Sequence, residues 1–306
     1  MLYHHPIKIL PVLLMKTLAF IHRNDAHAAV GDFSPVVSVF SHYELGNTVS
    51  PFLLLDHIGP SYLRPSHRQQ GVSEHPHRGF ETVTLVYQGE LEHRDSSGGG
   101  GLIGAGDVQW MTAGRGVIHR EVFSPAFTTQ GGAFEMLQLW VNLPARDKMN
   151  PARYQHLSHS KIPTVALSNG FVRVIAGKYA GVQGLAQTHT RLQVLDIKLA
   201  QGEQATIQMQ EQDTALIYVR TGQIDVGSNQ LIDAQSMAVM SSHGDQVQIT
   251  AHLPSQLVLM SGEPLHEPIN GHGFFVMNTY EEVLQAYEDA KNGQLTSPPT
   301  PSDQQD

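Results

Sequence analysis

Short runs of β-type residues, separated by turn residues, cover most of this 306-residue chain, and this pattern restricts the fold more than any other feature. The runs alternate or are apolar throughout, and Gly, Pro, Asn or Asp separates one run from the next, as in β-sandwiches and barrels. The clearest runs are Glu81 to Tyr87, Phe134 to Val141, Phe171 to Ala176, Leu192 to Leu199, Thr214 to Val219 and Gln256 to Met260. The sequence therefore predicts an all-β protein.

A convincing helical pattern occurs only near the end of the chain. Thr279 and Glu282 form a capping box, apolar side chains follow at helical spacing, and Gly293 is a stop signal. The segment Thr296 to Asp306 is rich in Pro, Ser and Gln, which predicts a disordered tail. We therefore expect one short C-terminal helix.

Length and an internal similarity both predict two domains. A chain of 306 residues exceeds what one hydrophobic core normally supports. The segment Val83 to Leu91 is similar to Leu216 to Ile224, as expected for two copies of one unit. The predicted division is an N-terminal extension (1–14), a first domain (15–150), a linker (151–165), a second domain (166–295) and the tail (296–306).

Two pairs of metal-ligand residues have i, i+2 spacing: His75 with His77, and His119 with Glu121. Side chains two residues apart on a strand point to the same face of a sheet. If both strands line one cavity, three imidazoles and one carboxylate converge, a set that suits Fe, Mn, Ni, Co, Cu or Zn. The alternative is that these are surface histidines, since the chain contains 18 His. The second pair favours the metal site.

The second copy lacks the corresponding ligands. The internal alignment places Gln208 at the position of His75, and Gln210 at the position of His77. The place expected for its second pair falls near residues 247–249, which contain no ligand residue either. The sequence thus predicts one metal per chain, held by the first domain.

The order of these residues resembles the two-motif pattern of cupins. His75 to Glu81 reads His-x-His-x3-Glu, and a glycine-bounded strand and turn from Gly106 leads to His119. Gln69 stands where cupins usually have Gly, and Thr112 where they usually have Pro. One subfamily shares these departures, and the chain resembles pirin and the bacterial pirin-like proteins. The matching stretches are HPHRGFETVTLVYQGELEHRDS, GDVQWMTAGRGVIHREVF, LQLWVNLPARDKMNPARYQ and FFVMNTYEEVLQAYEDAKNG.

The resemblance implies a bicupin, with two β-barrel or jelly-roll domains in tandem and a short C-terminal helix. Carried over position by position, the pirin metal ligands fall on His75, His77, His119 and Glu121. Glu81 is the usual cupin carboxylate ligand, but in a pirin it is not expected to touch the metal. We expect Glu81 to have a supporting or structural role.

Four protein ligands leave about two positions of a six-coordinate metal open to water, dioxygen or a substrate. Bacterial pirin-like proteins are associated with quercetin 2,3-dioxygenase activity, in which a flavonol binds through its deprotonated 3-hydroxyl. The resemblance therefore implies a flavonol-like substrate, O2, and Glu121 as both ligand and general base. Fe(II) is the metal expected first, with Ni, Mn, Co, Cu or Zn as alternatives.

Two other functional classes stay open at this stage. The resemblance also implies a regulatory protein without turnover, either a redox-sensing transcriptional cofactor, as for eukaryotic pirin, or a modulator of a metabolic enzyme by direct contact, as for some bacterial relatives. A purely structural metal is less favoured, because such sites are normally tetrahedral and often use Cys, which this chain lacks.

Composition and the N-terminal sequence indicate which binding partners and which cellular compartment to expect. A formal net charge of -9 and a pI near 6.0 argue against direct binding of nucleic acid. The stretch Ile9 to Phe20 is apolar, but Lys16 interrupts it, and pirin-like chains typically begin near a residue such as Met15, so a signal peptide is not favoured. No run reaches the length of a membrane span. The sequence predicts a cytoplasmic monomer that does not contact membranes.

Overall fold

The structure is a computed structural model that describes residues 14–228 and 230–297. Strands account for most of these residues, so the predicted all-β class is confirmed. The described helices are α1 (His42–Leu45), α2 (Pro125–Gln130) and α3 (Tyr280–Lys291), with short 3-10 helices at Gly46–Val49 and Ala145–Asp147. None of these helices has the length and apolar composition needed to cross a bilayer.

The strands of the first half are β1 (Leu18–His22), β2 (Ala28–Val30), β3 (Phe33–Ser41), β4 (Phe52–Leu63), β5 (Gly71–His77), β6 (Phe80–Gln88), β7 (Glu90–Asp95), β8 (Gly100–Gly104), β9 (Val108–Thr112), β10 (Val117–Phe123), β11 (Gly132–Asn142) and β12 (Arg153–Leu157). Those of the second half are β13 (Thr164–Leu167), β14 (Gly170–Ala176), β15 (Lys178–Tyr179), β16 (Val182–Gln183), β17 (Leu192–Leu199), β18 (Gln204–Gln208), β19 (Thr214–Asp225), β20 (Ile232–Asp233), β21 (Ser236–Met240), β22 (Gln246–Gly262), β23 (Asn270–His272) and β24 (Phe275–Met277).

Two sheets enclose the core of the first half. A seven-stranded sheet has the order β12-β9-β6-β11-β4-β3-β2, and a four-stranded sheet has the order β5-β10-β7-β8. Buried side chains from both sheets meet between them, among them Phe33, Leu91 and Phe134. The four-stranded sheet carries both predicted ligand pairs, on β5 and β10, and therefore positions the site.

A nine-stranded sheet forms the second half and packs against the first. Its main order is β1-β21-β19-β22-β17-β14-β13, and its interior is an apolar cluster that includes Leu195 and Ile217. A separate cluster joins the two halves, with Leu137 on β11 and Leu216 on β19 among its members. Both faces of these strands are buried, which explains why their sequences are apolar at consecutive positions rather than alternating.

Each half is completed by a segment from the opposite end of the chain. Strand β1 pairs with β21 of the nine-stranded sheet, whereas the predicted division places its residues in the first domain. Strand β12, in the predicted linker, pairs with β9. In the other direction, β24 and α3 pack on Ile118 of the first half. Such pairings join residues far apart in sequence, so local patterns do not reveal them; the division at 15–150 and 166–295 stays a prediction.

The C-terminal helix begins as the sequence predicts. The Thr279 hydroxyl accepts a hydrogen bond from the Glu282 amide at 3.2 Å, and the Glu282 carboxylate accepts one from the Thr279 amide at 2.9 Å. This reciprocal pair satisfies amides that the first helical turn leaves free, and it confirms the capping box. Residues 1–13 of the predicted extension and apolar stretch, and residues 298–306 of the predicted tail, lie outside the described residues.

Candidate metal centre

Strand pairing places both ligand pairs on one face of the four-stranded sheet. His119 on β10 lies directly opposite His75 on β5, and Val117 lies opposite His77. Paired residues of antiparallel strands project to the same side, as do residues two apart on one strand. The register therefore brings the imidazoles of β5 and β10 together.

Three histidines form one compact group. His75, His77 and His119 each offer a ligand atom within 4.8 Å of the others, and their ring centroids are 4.3 to 4.8 Å apart. His77 and His119 are buried, with 2% and 1% of their surface exposed, whereas His75 is half-buried. The group thus lies at the wall of the domain, with one imidazole near solvent.

Hydrogen bonds leave one nitrogen of each ring for a metal. Nδ1 of His75 lies 2.8 Å from the carbonyl oxygen of Ser73, and Nδ1 of His77 lies 3.3 Å from that of Phe274. A carbonyl oxygen only accepts, so each Nδ1 carries the proton and each Nε2 keeps its lone pair. Within the described part of the chain, the buried Nε2 of His119 has no hydrogen-bond partner. A divalent cation would satisfy this otherwise costly nitrogen, so the residues fit a metal.

Burial also sets the protonation state that metal binding requires. Desolvation, with a smaller effect of His75, lowers the pKa of His77 to about 3. Desolvation lowers the pKa of His119 well below its usual value, again with smaller contributions from neighbouring histidines. Both imidazoles are therefore neutral at physiological pH, and the neutral form is the one that binds a metal.

Glu121 belongs to a second group that overlaps the first at His119. His93, His119 and Glu121 offer ligand atoms within 4.8 Å of one another, and all three residues are buried. The structure thus joins Glu121 to the predicted set through His119, and its place as a fourth ligand stays a prediction. His93 is absent from the predicted set, although His93 and Asp95 show the same i, i+2 spacing on a strand as the two predicted pairs.

The Glu121 carboxylate is held by three side-chain donors. Its Oε1 accepts hydrogen bonds from the Thr84 hydroxyl at 3.0 Å and the Gln109 amide at 2.9 Å. Its Oε2 accepts one from the Gln138 amide at 3.0 Å. These donors satisfy acceptor positions of the carboxylate inside the domain. They also fix its orientation next to His119.

Glu81 lies outside both groups. Its side chain is 1% exposed and accepts a hydrogen bond from the Thr112 hydroxyl at 2.7 Å. Burial raises the pKa of Glu81 from 4.5 to about 7, although hydrogen bonds oppose the shift. A carboxyl that resists ionisation suits a supporting role better than that of a metal ligand, since a ligand must be deprotonated.

Because the pKa of Glu81 is raised, we expect the stability of the protein to depend on pH. Between pH 4.5 and about 7 the unfolded chain loses the Glu81 proton while the folded protein keeps it, so the free energy of unfolding falls as the pH rises. Glu81→Gln removes this term. We expect the variant to gain about 3 kcal/mol at most relative to wild type across that interval.

Urea unfolding at a series of pH values measures this difference. Glu44→Gln, at a carboxylate with 53% of its side chain exposed, is the control and will run parallel to wild type. A difference between Glu81→Gln and wild type that does not change with pH would contradict the assignment.

The C-terminal hairpin covers the histidine group. The ring of Phe274, between β23 and β24, lies 5.3 Å from that of His75 and 5.7 Å from that of His77. Gly79 permits this contact, because its φ is +91° and a Cβ there would lie 2.0 Å from the Val276 carbonyl oxygen. The site is therefore built from the first half of the chain and from a hairpin near its C-terminus.

Arg78 fastens the same C-terminal segment next to the ligands. Its guanidinium forms a 2.7 Å ion pair with Asp289 of α3 and donates a 3.3 Å hydrogen bond to the Leu295 carbonyl oxygen. The Arg78 side chain is 4% exposed, so the pair is shielded from solvent. Shielding makes such a pair costly to break from one side.

In the second domain, Gln208 and Gln210 are exposed. Across residues 14–228 and 230–297, the two groups able to hold a metal both lie in the first domain. That the second domain binds no metal stays a prediction, which anomalous scattering from crystals grown with a metal would test.

Two β domains in tandem, with a histidine group on a strand pair of the first, define a bicupin. Residues 34–141 match the family model described as Pirin, and residues 194–296 match the Pirin C-terminal cupin domain. The chain belongs to the pirin family.

Similar proteins include both bacterial and human members. A Pseudomonas aeruginosa protein named "Putative quercetin 2,3-dioxygenase" is 48% identical, over 92% of this chain and 99% of its own. Human pirin is 39% identical, over 82% of this chain and 85% of its own. A crystal structure of quercetin 2,3-dioxygenase from Acinetobacter baumannii is 46% identical, covers 92% of this chain and 98% of its own, and superimposes with a TM-score of 0.89.

Proposed function

We propose that this protein is a metal-dependent dioxygenase that cleaves flavonols, of the quercetin 2,3-dioxygenase type. One observation carries the proposal: three converging imidazoles keep a nitrogen lone pair free, while their Nδ1 atoms are engaged. The names of the Pseudomonas and Acinetobacter relatives support it. We further propose that the protein acts as a cytoplasmic monomer.

A divalent metal would be held by His75, His77 and His119, with Glu121 as the proposed fourth ligand. When bound, it supplies open coordination positions for a flavonol and O2. Fe(II) is the metal we expect first. Ni, Mn, Co, Cu and Zn compete for such nitrogen and oxygen ligands, and their availability selects among them.

Side chains around the group suit a flat aromatic substrate. Phe274 is 44% exposed beside His75 and His77. The half-buried Trp140 ring lies 5.4 Å from that of His77 and 4.3 Å from that of the buried Phe80. Aromatic faces of this kind stack on flat rings and keep water away from them. We propose that they orient the flavonol.

Glu121 is the residue we propose as general base. Taking the proton of the flavonol 3-hydroxyl onto a Glu121 oxygen would give the anionic form that binds a cation. Thr84, Gln109 and Gln138 would keep the carboxylate in place during this transfer, because each donates to it. A positioned base typically contributes about 100-fold or more to the rate.

Glu121→Gln tests this role, because glutamine keeps an oxygen and nearly the same shape but removes the base. We expect flavonol-dependent oxygen consumption to fall by about 100-fold or more, measured with an oxygen electrode and a flavonol panel. Metal content is measured in both proteins, and rates are compared per bound metal.

Glu81→Gln is the matched control, since it makes the same change at a buried carboxylate outside both groups. It will retain wild-type turnover. Turnover of Glu121→Gln equal to that of wild type, per bound metal, would contradict the base assignment.

A regulatory function is the second candidate, and one contact favours it. The Nδ1 of His77 is bonded to Phe274, a partly exposed residue of the C-terminal hairpin, so the metal group is linked directly to the surface. If the protein is a sensor, hydrogen exchange at residues 270–277 will differ between the Fe(II) and Fe(III) forms. Metal-replete protein that turns over no flavonol and shows this difference would establish the sensor in place of the enzyme.

A further inference from the structure

A third strand places two buried polar residues behind the histidine group. Strand β7 pairs with β10, with Asp95 opposite His119 and His93 opposite Glu121. Nε2 of His93 lies 3.1 Å from Oδ2 of Asp95, and Nδ1 of His93 lies 3.4 Å from Nδ1 of His119. The side chains of His93 and Asp95 are both 0% exposed. A continuous chain of polar contacts therefore runs from Asp95 through His93 to His119.

The contacts of Asp95 fix the direction of the protons in this chain. Its Oδ1 accepts hydrogen bonds from the Ser97 amide at 2.8 Å, the Ser97 hydroxyl at 2.6 Å and the Gly99 amide at 3.0 Å. A carboxyl surrounded by donors acts as an acceptor, so Nε2 of His93 donates to Oδ2. With Nε2 donating to Asp95, a neutral His93 ring has its lone pair on Nδ1.

The same logic assigns the proton of His119. Its Nδ1 faces the lone pair on Nδ1 of His93, so it must be the donor in that contact. The lone pair of His119 is consequently on Nε2, the buried nitrogen that has no partner among the described residues. This is the nitrogen that a metal would engage.

We infer that Asp95 and His93 are positioning residues, which hold His119 in its Nδ1–H tautomer and thereby set the metal affinity of the site. The inference rests on the metal site of the proposed function. Partners of this kind behind a ligating histidine typically contribute about 10- to 100-fold to metal affinity. His93 is not itself a ligand in this assignment, because Asp95 and His119 engage both of its nitrogens.

Asp95→Asn is the most informative substitution. The asparagine oxygen can still accept from the backbone amides of Ser97 and Gly99, so the turn retains its hydrogen bonds. Its NH2 group would face Nε2 of His93, which must then accept. The proton order reverses, and His119 is left protonated on Nε2, the nitrogen that the metal needs.

Isothermal titration calorimetry of the demetallated full-length protein with Ni²⁺ alone measures the change in metal affinity. Nickel is chosen because it does not change oxidation state in air under these conditions. We expect Asp95→Asn to bind Ni²⁺ about 10- to 100-fold more weakly than wild type, and His119→Ala to lose binding. His93→Phe, which fills the space without a nitrogen, will weaken binding to a similar degree.

Asp107→Asn is the matched control. Asp107 also accepts from two backbone amides, those of Gly104 and His159, and meets a histidine, His156, but no residue of either metal group. It will bind Ni²⁺ with wild-type affinity. Comparing the two variants separates a loss of metal affinity from a general effect of disturbing a turn.

Nitrogen-15 spectra of the histidine rings in the metal-free wild type give a test that needs no variant. His119 will show the Nδ1–H tautomer and His93 the Nε2–H tautomer, and Asp95→Asn will reverse both. The opposite tautomers in wild type would overturn the inference, as would unchanged Ni²⁺ affinity in Asp95→Asn while His119→Ala loses binding. Failure of the wild type to bind Ni²⁺ would overturn the metal site itself, and this inference with it.

Discussion

His77→Ala or His119→Ala will reduce the metal content of the purified protein from near one ion per chain to less than about 0.1 ion per chain. Each substitution removes one of three converging imidazoles. Losing a residue that only hydrogen-bonds to a ligand typically lowers metal affinity by roughly 10- to 100-fold, and losing the ligand itself costs more. Elemental analysis after anaerobic purification measures the ratio of metal to protein. If the protein has the proposed dioxygenase activity, flavonol-dependent oxygen consumption will fall in parallel.

His67→Ala is the control for this experiment, because His67 is an exposed histidine of the same domain and belongs to neither metal group. It will keep the wild-type metal content. Full metal content in both His77→Ala and His119→Ala would rule out the site.

Arg220→Met will destabilise the protein by about 3 to 5 kcal/mol, the cost typical of breaking a buried ion pair from one side. Arg220 on β19 donates a 2.6 Å hydrogen bond to Glu135 on β11, and their side chains are 8% and 4% exposed. His57 also contacts Glu135, at 3.1 Å, and bonds to Tyr218 of the second half at 2.8 Å. The substitution leaves a buried carboxylate at the junction of the two halves with its main counter-charge removed. Urea unfolding measures the loss.

Two further variants test whether the loss of stability comes from the buried ion pair. The double variant Arg220→Met with Glu135→Gln will recover part of the loss, since it removes the uncompensated charge. Arg94→Met breaks a 2.6 Å pair with Glu92, but Arg94 is 68% exposed, so it will cost about 1 kcal/mol or less. An Arg220→Met protein within that smaller range would show that the pair does not hold the halves together.

The i, i+2 spacing was sufficient to predict that His75 and His77 share one face, whereas their meeting with His119 depended on the condition that both strands line one cavity. Alternation along a strand is a local property, so His75 and His77 had to share a face once β5 formed. The capping box of α3 could also be predicted from the sequence, because its two residues lie within one helical turn. The all-β class followed from the spacing of turn residues.

Long-range pairing could not be predicted in this way. His93 joins the metal group only because β7 pairs with β10, and Phe274 reaches His77 across 197 residues of sequence. The strands β1 and β21, which pair with each other, are even farther apart in the sequence. Packing and backbone hydrogen bonding in the folded molecule determine which distant residues meet, and no periodicity along the sequence indicates them.

The contact between the Phe274 carbonyl oxygen and His77 has a consequence for biosynthesis. A ribosome releases His77 long before residue 274, so the nascent first domain exists for a time with this imidazole free to rotate. The neighbouring Arg78 likewise lacks its ion-pair partner until Asp289 has been synthesised. The metal site that we propose would consequently reach its full affinity only after residue 274 has been synthesised, and a chain interrupted before that point would lack the carbonyl oxygen that orients His77.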